Sequence, residues 1–164
     1  MTKSDKPAAP ACSCGSSSAF ADCCAPFLSG AQIPPTAEAL MRSRYSAYTL
    51  RDEAYLLATW HHGTRPLAGL FDDDVGLTWL GLTVKSPLRL RLRKRQDARQ
   101  EMHTDASKDT EVRDASADSD AVEFVARYKI GGRAHRLHEV SRFVREQGRW
   151  FYLDGNFSER LNSK

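Results

Sequence analysis

Every cysteine of the chain, four in all, lies between residues 12 and 24, in the spacing Cys12-x-Cys14-x8-Cys23-Cys24. The 12–30 segment around them has two glycines, several serines and too few large apolar residues to close a core of its own. Something other than hydrophobic burial must hold it. Four thiolates suit a tetrahedral zinc ion with Zn–S bonds of about 2.3 Å. Metal binding worth about 10–16 kcal/mol in comparable zinc peptides would supply the missing stability. Gly15 lets the chain turn after the first pair, and the serines that follow can offer hydroxyl and N–H donors to sulfur. Disulfides fit less well, because adjacent Cys23 and Cys24 are a strained pair to bridge and the chain reads as cytosolic. The Cys-x-x-Cys of a redox site is absent. Soft thiolates also accept iron, but the spacing is not one of the usual iron–sulfur runs. Zinc on Cys12, Cys14, Cys23 and Cys24 is the expected cofactor.

The bulk composition excludes several classes. Apolar residues make up 41% and charged residues 27%, as in soluble globular chains. No apolar run approaches the roughly 20 residues that span a membrane. The start of the chain lacks the apolar stretch of a secretory signal, so a cytoplasmic location is expected. The formal net charge of +3 is too even to imply nucleic acid. Five basic residues between Arg89 and Arg95 form a local stripe. Three of them alternate with leucine, which marks a solvated strand face before a nucleic-acid surface.

Residues 1–11 read as a disordered tail and 12–30 as the cysteine knuckle. A domain spanning 31–160 follows. Thr36 is a good N-cap for a helix from Ala37 to about Leu50, with Leu40, Met41, Arg44, Tyr45 and Tyr48 on its apolar stripe. Asp52 can cap a second helix over 53–60. The period then changes to two. Strands are predicted over 77–84, continuing through Leu88, Leu90 and Leu92, then over 122–130, 133–145 and 149–154. Gly131-Gly132 and Gln147-Gly148 mark tight turns. The charged stretch 94–119 reads as a long flexible loop. Helices followed by an antiparallel meander define an α+β fold, with helices on one face of a curved sheet.

Two resemblances sharpen this reading. Residues 12–24 resemble the SEC-C motif, a C-x-C-G-S-G sequence followed by a cysteine pair. Here Ser17 replaces the second glycine, and Ser18, Ala19, Ala21 and Asp22 stand where basic residues are common. In a translocation ATPase the motif contacts a chaperone, which implies a protein partner. The remainder resembles the YchJ family. The likeness rests on the run Pro35 to Tyr48, on Tyr55 to His61 with Thr64-Arg65-Pro66, on Trp79 to Leu82, on Val122 to Ala126, and on Leu137-His138-Glu139 with Ser141-Arg142-Phe143. This family implies a cone like that of nuclear transport factor 2, a scaffold on which fold alone does not decide function.

A cone of this kind has a cavity between helix and sheet. Strand alternation puts Glu139, Ser141 and Phe143 on one face. A two-residue turn at Gln147-Gly148 pairs Phe143 with Tyr152, so Trp150, Tyr152 and Asp154 are expected on that same face. The cavity candidates are Arg44, Tyr48, Trp60, His61, Trp79, Glu139 and Asp154. A buried carboxylate here could act as a base of raised pKa. The plainer reading is a buried ion pair of Arg44 with Glu139 or Asp154. His61 and His62 at a helix end can simply meet the helix dipole. Two functions follow. The expected one is a protein-interaction adaptor working through the knuckle. The alternative is a small-molecule binder or an isomerase- or hydratase-like enzyme using the cavity.

Overall fold

The computed structural model describes residues 10–72, 76–85 and 119–157. The expected tail up to residue 9, the leucine–arginine alternation and nearly all of the 94–119 loop lie outside these residues. A single 3-10 turn, Phe20–Asp22, precedes helix α1 (Ala25–Leu28). Helix α2 (Ala37–Leu50) begins where expected, its Thr36 side chain accepting from the Ala39 N–H at 3.1 Å. It stops at Arg51, whose left-handed φ of 58° ends the turn. Asp52 accepts from the Tyr55 N–H and starts helix α3 (Glu53–Ala58), one short step along the chain.

Four strands follow as β1 (Thr78–Val84), β2 (Ser119–Ile130), β3 (Arg133–Glu146) and β4 (Arg149–Phe157). They form one antiparallel sheet in the order β1-β2-β3-β4. The turns at Gly131-Gly132 and Gln147-Gly148 both place two successive residues at positive φ, the conformation that matches strand twist in a two-residue hairpin. The core lies between α2 and the concave face, where Leu40, Met41 and Tyr45 meet Leu82, Phe124, Ala126 and Phe143. The outer edge of β4 is stitched to the end of α3. The His61 N–H donates to the Tyr152 carbonyl at 2.8 Å, and the Tyr152 N–H donates to the Thr59 carbonyl at 2.9 Å.

The register departs from expectation at one place. Arg145 pairs with Trp150 and Phe143 with Tyr152, but Arg142 pairs with Asp154. Leu153 is therefore an extra residue on β4, and such a bulge reverses the face of everything beyond it. Asp154 accordingly lies on the outer face, ion-paired with exposed Arg142, and does not enter the cavity. Gly155 takes the inner position opposite Ser141 instead.

Candidate functional site

The knuckle is built by local turns. The Cys12 N–H donates to the Ser18 carbonyl, and the Gly15 N–H donates to the Cys12 carbonyl. Gly15 holds a φ of +77° and packs so closely on the Leu82 carbonyl that a Cβ there would overlap it. The 3-10 turn then returns Cys23 and Cys24 to the first pair. Ligand atoms of the four cysteines all lie within 4.8 Å of one another. Cys14 and Cys23 sulfurs are 3.6 Å apart, and those of Cys23 and Cys24 3.8 Å. The edge of a tetrahedron with 2.3 Å arms is about 3.8 Å, so the cluster matches a closed four-sulfur metal site. Cys12, Cys14 and Cys24 are buried. Ser16 Oγ sits 3.3 Å from Cys14 Sγ and 3.0 Å from Cys23 Sγ, and Ser46 Oγ 3.6 Å from Cys12 Sγ.

The thiols cannot all ionise together without a cation. The hydrogen bond from Cys24 pulls the Cys14 thiol down to about 4. That same bond pushes the Cys24 thiol strongly up, and burial pushes Cys23 up. A divalent ion would remove this competition by drawing every sulfur into the thiolate form.

The knuckle is seated on the cone. Arg42 donates through Nη1 to the Cys14 carbonyl at 2.9 Å and through Nε to Glu38 at 2.9 Å. Ser13 Oγ lies 3.2 Å from both Ser46 Oγ and Thr49 Oγ1. One side of α2 thus carries the knuckle. The other side faces the sheet across a cavity of about 260 Å³.

Arg44, Tyr48, Trp60, Trp79 and Glu139 all line that cavity. Arg44 is 4% exposed, yet no carboxylate of the described residues comes within 4 Å of it. The expected ion pair is therefore not formed. Arg44 Nη1 donates instead to the Leu56 carbonyl and to Thr59 Oγ1, each at 2.7 Å. Its guanidinium also sits over the rings of Tyr152 and Trp60, at 4.6 and 5.0 Å from their centroids. Carbonyls and ring faces stabilise the cation without neutralising it. Burial is the main influence on Arg44 and pulls its pKa down.

Glu139 is 6% exposed. Its Oε1 accepts from Ser141 Oγ at 2.7 Å and from Tyr152 OH at 3.2 Å. Burial nonetheless holds the carboxyl above the usual carboxylate range, with the two hydroxyls and Arg44 only opposing it. Gly155 makes this arrangement possible, since a Cβ there would overlap the Glu139 carboxyl. Trp60 Nε1 is buried and finds no acceptor among the described residues.

His61 is a correction. It points away from the cavity, with Nε2 3.1 Å from Glu146 Oε1. Its Nδ1 accepts the Gly63 N–H at 3.2 Å, so the neutral ring keeps its proton on Nε2. His61, His62 and Glu146 do gather within 4.8 Å. That tautomer leaves His61 no free lone pair for a cation. Sequence reasoning missed Phe157 and Gly155, both at the inner end of β4, because the last strand was expected to stop at Asp154. The bulge carries no distinctive residue, so alternation alone could not have found them.

Residues 36–155 match the family described as the YchJ middle NTF2-like domain, and the chain belongs to that family. A UPF0225 protein of Chromobacterium violaceum is 49% identical over 155 residues, which is 93% of this chain and 97% of that one. A UPF0225 protein of Cupriavidus metallidurans is also 49% identical, over 90% of this chain and 89% of its own. The solution structure of a SEC-C motif containing protein from Rhodopseudomonas palustris superposes with a TM-score of 0.66 at 28% identity, covering 92% of this chain and all of that chain. A crystal structure of a SEC-C motif containing protein from Psychrobacter arcticus shares the fold, with a TM-score of 0.60 at 23% identity and coverage of 93% and 85%. No helix among the described residues is long and apolar enough to cross a membrane.

Proposed function

We propose that this chain is a small-molecule binding protein whose ligand enters the cone cavity, with zinc on Cys12, Cys14, Cys23 and Cys24 acting as a structural clamp. One observation carries the binding reading. Arg44 is buried beside the cavity with no carboxylate within 4 Å among the described residues. A charge that served only to tie helix to sheet would be expected to meet a counterion. A mostly apolar cavity with a few convergent polar groups is the usual form of a ligand site. Zinc is supported by the all-sulfur donor set and its spacing, and a closed site of four protein ligands suits structure over chemistry.

A ligand screen by two-dimensional NMR tests the binding reading. The expected result is that small planar compounds shift the indole N–H signals of Trp60 and Trp79. If no compound of any charge moves them, the cavity reading fails. Elemental analysis should return one zinc per chain, and less than about 0.3 would count against zinc.

A second reading has one supporting feature. Ser17, Ser18, Ala21 and Asp22 remain exposed on the knuckle while the sulfurs are turned inward. That rim could dock a protein partner. Capture of the same proteins by wild type and by a Cys12→Ser, Cys14→Ser variant would rule this adaptor role out.

A further inference from the structure

The cavity has two unlike ends. At one end Arg44 lies over the Tyr152 ring, and Tyr152 OH reaches Glu139, which also holds Ser141. At the other, Trp79 packs edge-on to Tyr45 at 5.5 Å and tilts against Tyr48 at 6.0 Å. Eight of the fourteen lining residues are aromatic, so the cavity as a whole suits a flat, ring-sized body. At about 260 Å³ the space falls just below the 300–1,000 Å³ typical of drug-sized sites, which sets the ligand near a single ring with one substituent.

The polar end selects the substituent. One donor there lacks an acceptor of matching charge among the described residues. Arg44 spends Nη1 on Leu56 and Thr59, and the rest of its guanidinium meets no carboxylate within 4 Å among the described residues. Trp60 Nε1 also has no acceptor among the described residues, but it is fully buried and presents no surface to the cavity. Glu139 adds a second donor when neutral. Its Oε1 already accepts two hydroxyl hydrogens, so the proton of the neutral acid sits on Oε2. A cationic ligand would be repelled by Arg44, and a neutral one would leave the guanidinium without its counterion. A planar anion with two acceptor oxygens satisfies a guanidinium fork best.

We propose that the ligand of this cavity is a small aromatic monocarboxylate, with its carboxylate on Arg44 beside Glu139 and its ring against Trp79. This rests on the cavity-binding reading above and names the ligand class for that site. Binding takes up one proton wherever Glu139 is ionised beforehand. The charged and titratable groups acting on Glu139 among the described residues are Arg44 from α2 and Tyr152 from β4; Tyr48 of α2 lines the same cavity. Burial raises Tyr152, so its hydroxyl stays protonated near neutrality. Affinity should therefore rise as pH falls through the raised pKa of Glu139.

Calorimetric titration of the full chain, purified with its metal, tests this with benzoate, benzamide and acetate as probes. Benzoate should bind at least tenfold tighter than benzamide or acetate, with proton uptake measured from the dependence of heat on buffer. Arg44→Met should erase the preference for benzoate over benzamide. Arg44→Lys, which keeps the charge, should retain part of the preference and guards against loss of fold in the first variant. Glu139→Gln should keep benzoate binding and lose its pH dependence. Equal affinity for benzoate and benzamide overturns the carboxylate proposal while leaving the cavity reading intact. Equal affinity for benzoate and acetate overturns the aromatic part. Binding of none of the three, together with a silent NMR screen, overturns both readings.

Discussion

The knuckle and the cavity both bury polar groups, and they do so by opposite logic. In the knuckle, polar atoms face one another. Four sulfurs, two serine hydroxyls and a carbonyl–arginine contact close a shell that one cation completes. In the cavity, polar atoms face a space. Arg44 and Glu139 keep hydrogen-bonding capacity that the described residues do not use up. The first pattern stabilises a segment too small to fold unaided. The second is costly in stability and is retained where a molecule is bound.

The largest effect expected comes from removing the metal. Chelation, or Cys14→Ser, should release residues 12–30 to hydrogen exchange while the sheet keeps its circular dichroism. The two apolar clusters are separate, since the cysteines pack with Phe20 and Leu28 and the cone core packs without them. Loss of the whole fold in one step would break the distinction between the two regions.

Next comes Gly155→Ala. A Cβ there would overlap the Glu139 carboxyl, and such overpacking costs about 1–3 kcal/mol in urea denaturation. Adding Glu139→Ala should recover part of that loss. Absence of any recovery would show that the strain lies in the bulge and not in the cavity.

A smaller loss is expected for Arg44→Met. Breaking a buried ion pair costs about 3–5 kcal/mol, but Arg44 has no such pair among the described residues. Loss of its hydrogen bonds to Leu56 and Thr59, offset by relief of its own desolvation, should cost about 1–2 kcal/mol. A loss above 3 kcal/mol would return the pair to the account.

The pH dependence sharpens the comparison further. Burial raises the Glu139 carboxyl, so the folded chain holds that proton more tightly than the unfolded chain does. Its contribution to stability is fully present below the ordinary carboxylate pKa and is lost as pH rises through the raised folded value. Glu139→Gln should thus be stabilising at pH 7 and lose that advantage near pH 4, measured by thermal melts. Asp154 behaves oppositely. Arg142 holds it below its usual range, so its contribution is lost as pH falls. That pair is exposed, and Asp154→Asn should cost under about 1 kcal/mol.

These regions also differ in how far the sequence exposes them. The knuckle is legible because its ligands lie within thirteen positions of one another, and spacing alone sets which atoms can meet. The Thr36 and Asp52 caps and the Gln147-Gly148 turn are legible for the same reason, since each acts on its immediate neighbours. The cavity depends on register carried across strands. One extra residue, Leu153, exchanged Asp154 for Gly155 on the inner face. The partner of His61 is Glu146, 85 positions away, and no local pattern announces such a meeting. The stripe of α2 placed Arg44 inside, but only packing could show that carbonyls and ring faces would receive it.

Among the described residues, β1 and β4 are the border strands of the sheet. On β4, the backbone of Thr59 and His61 already occupies both hydrogen-bonding groups of Tyr152. On β1, the turn at Gly15 presses against Leu82 with no room for a side chain. Each border is therefore obstructed near its middle by a piece of the same chain, and neither offers an uninterrupted ladder to another molecule. A knuckle that comes loose would uncover one of these borders. Depriving the protein of its metal would then be felt first as a tendency of chains to aggregate through β1.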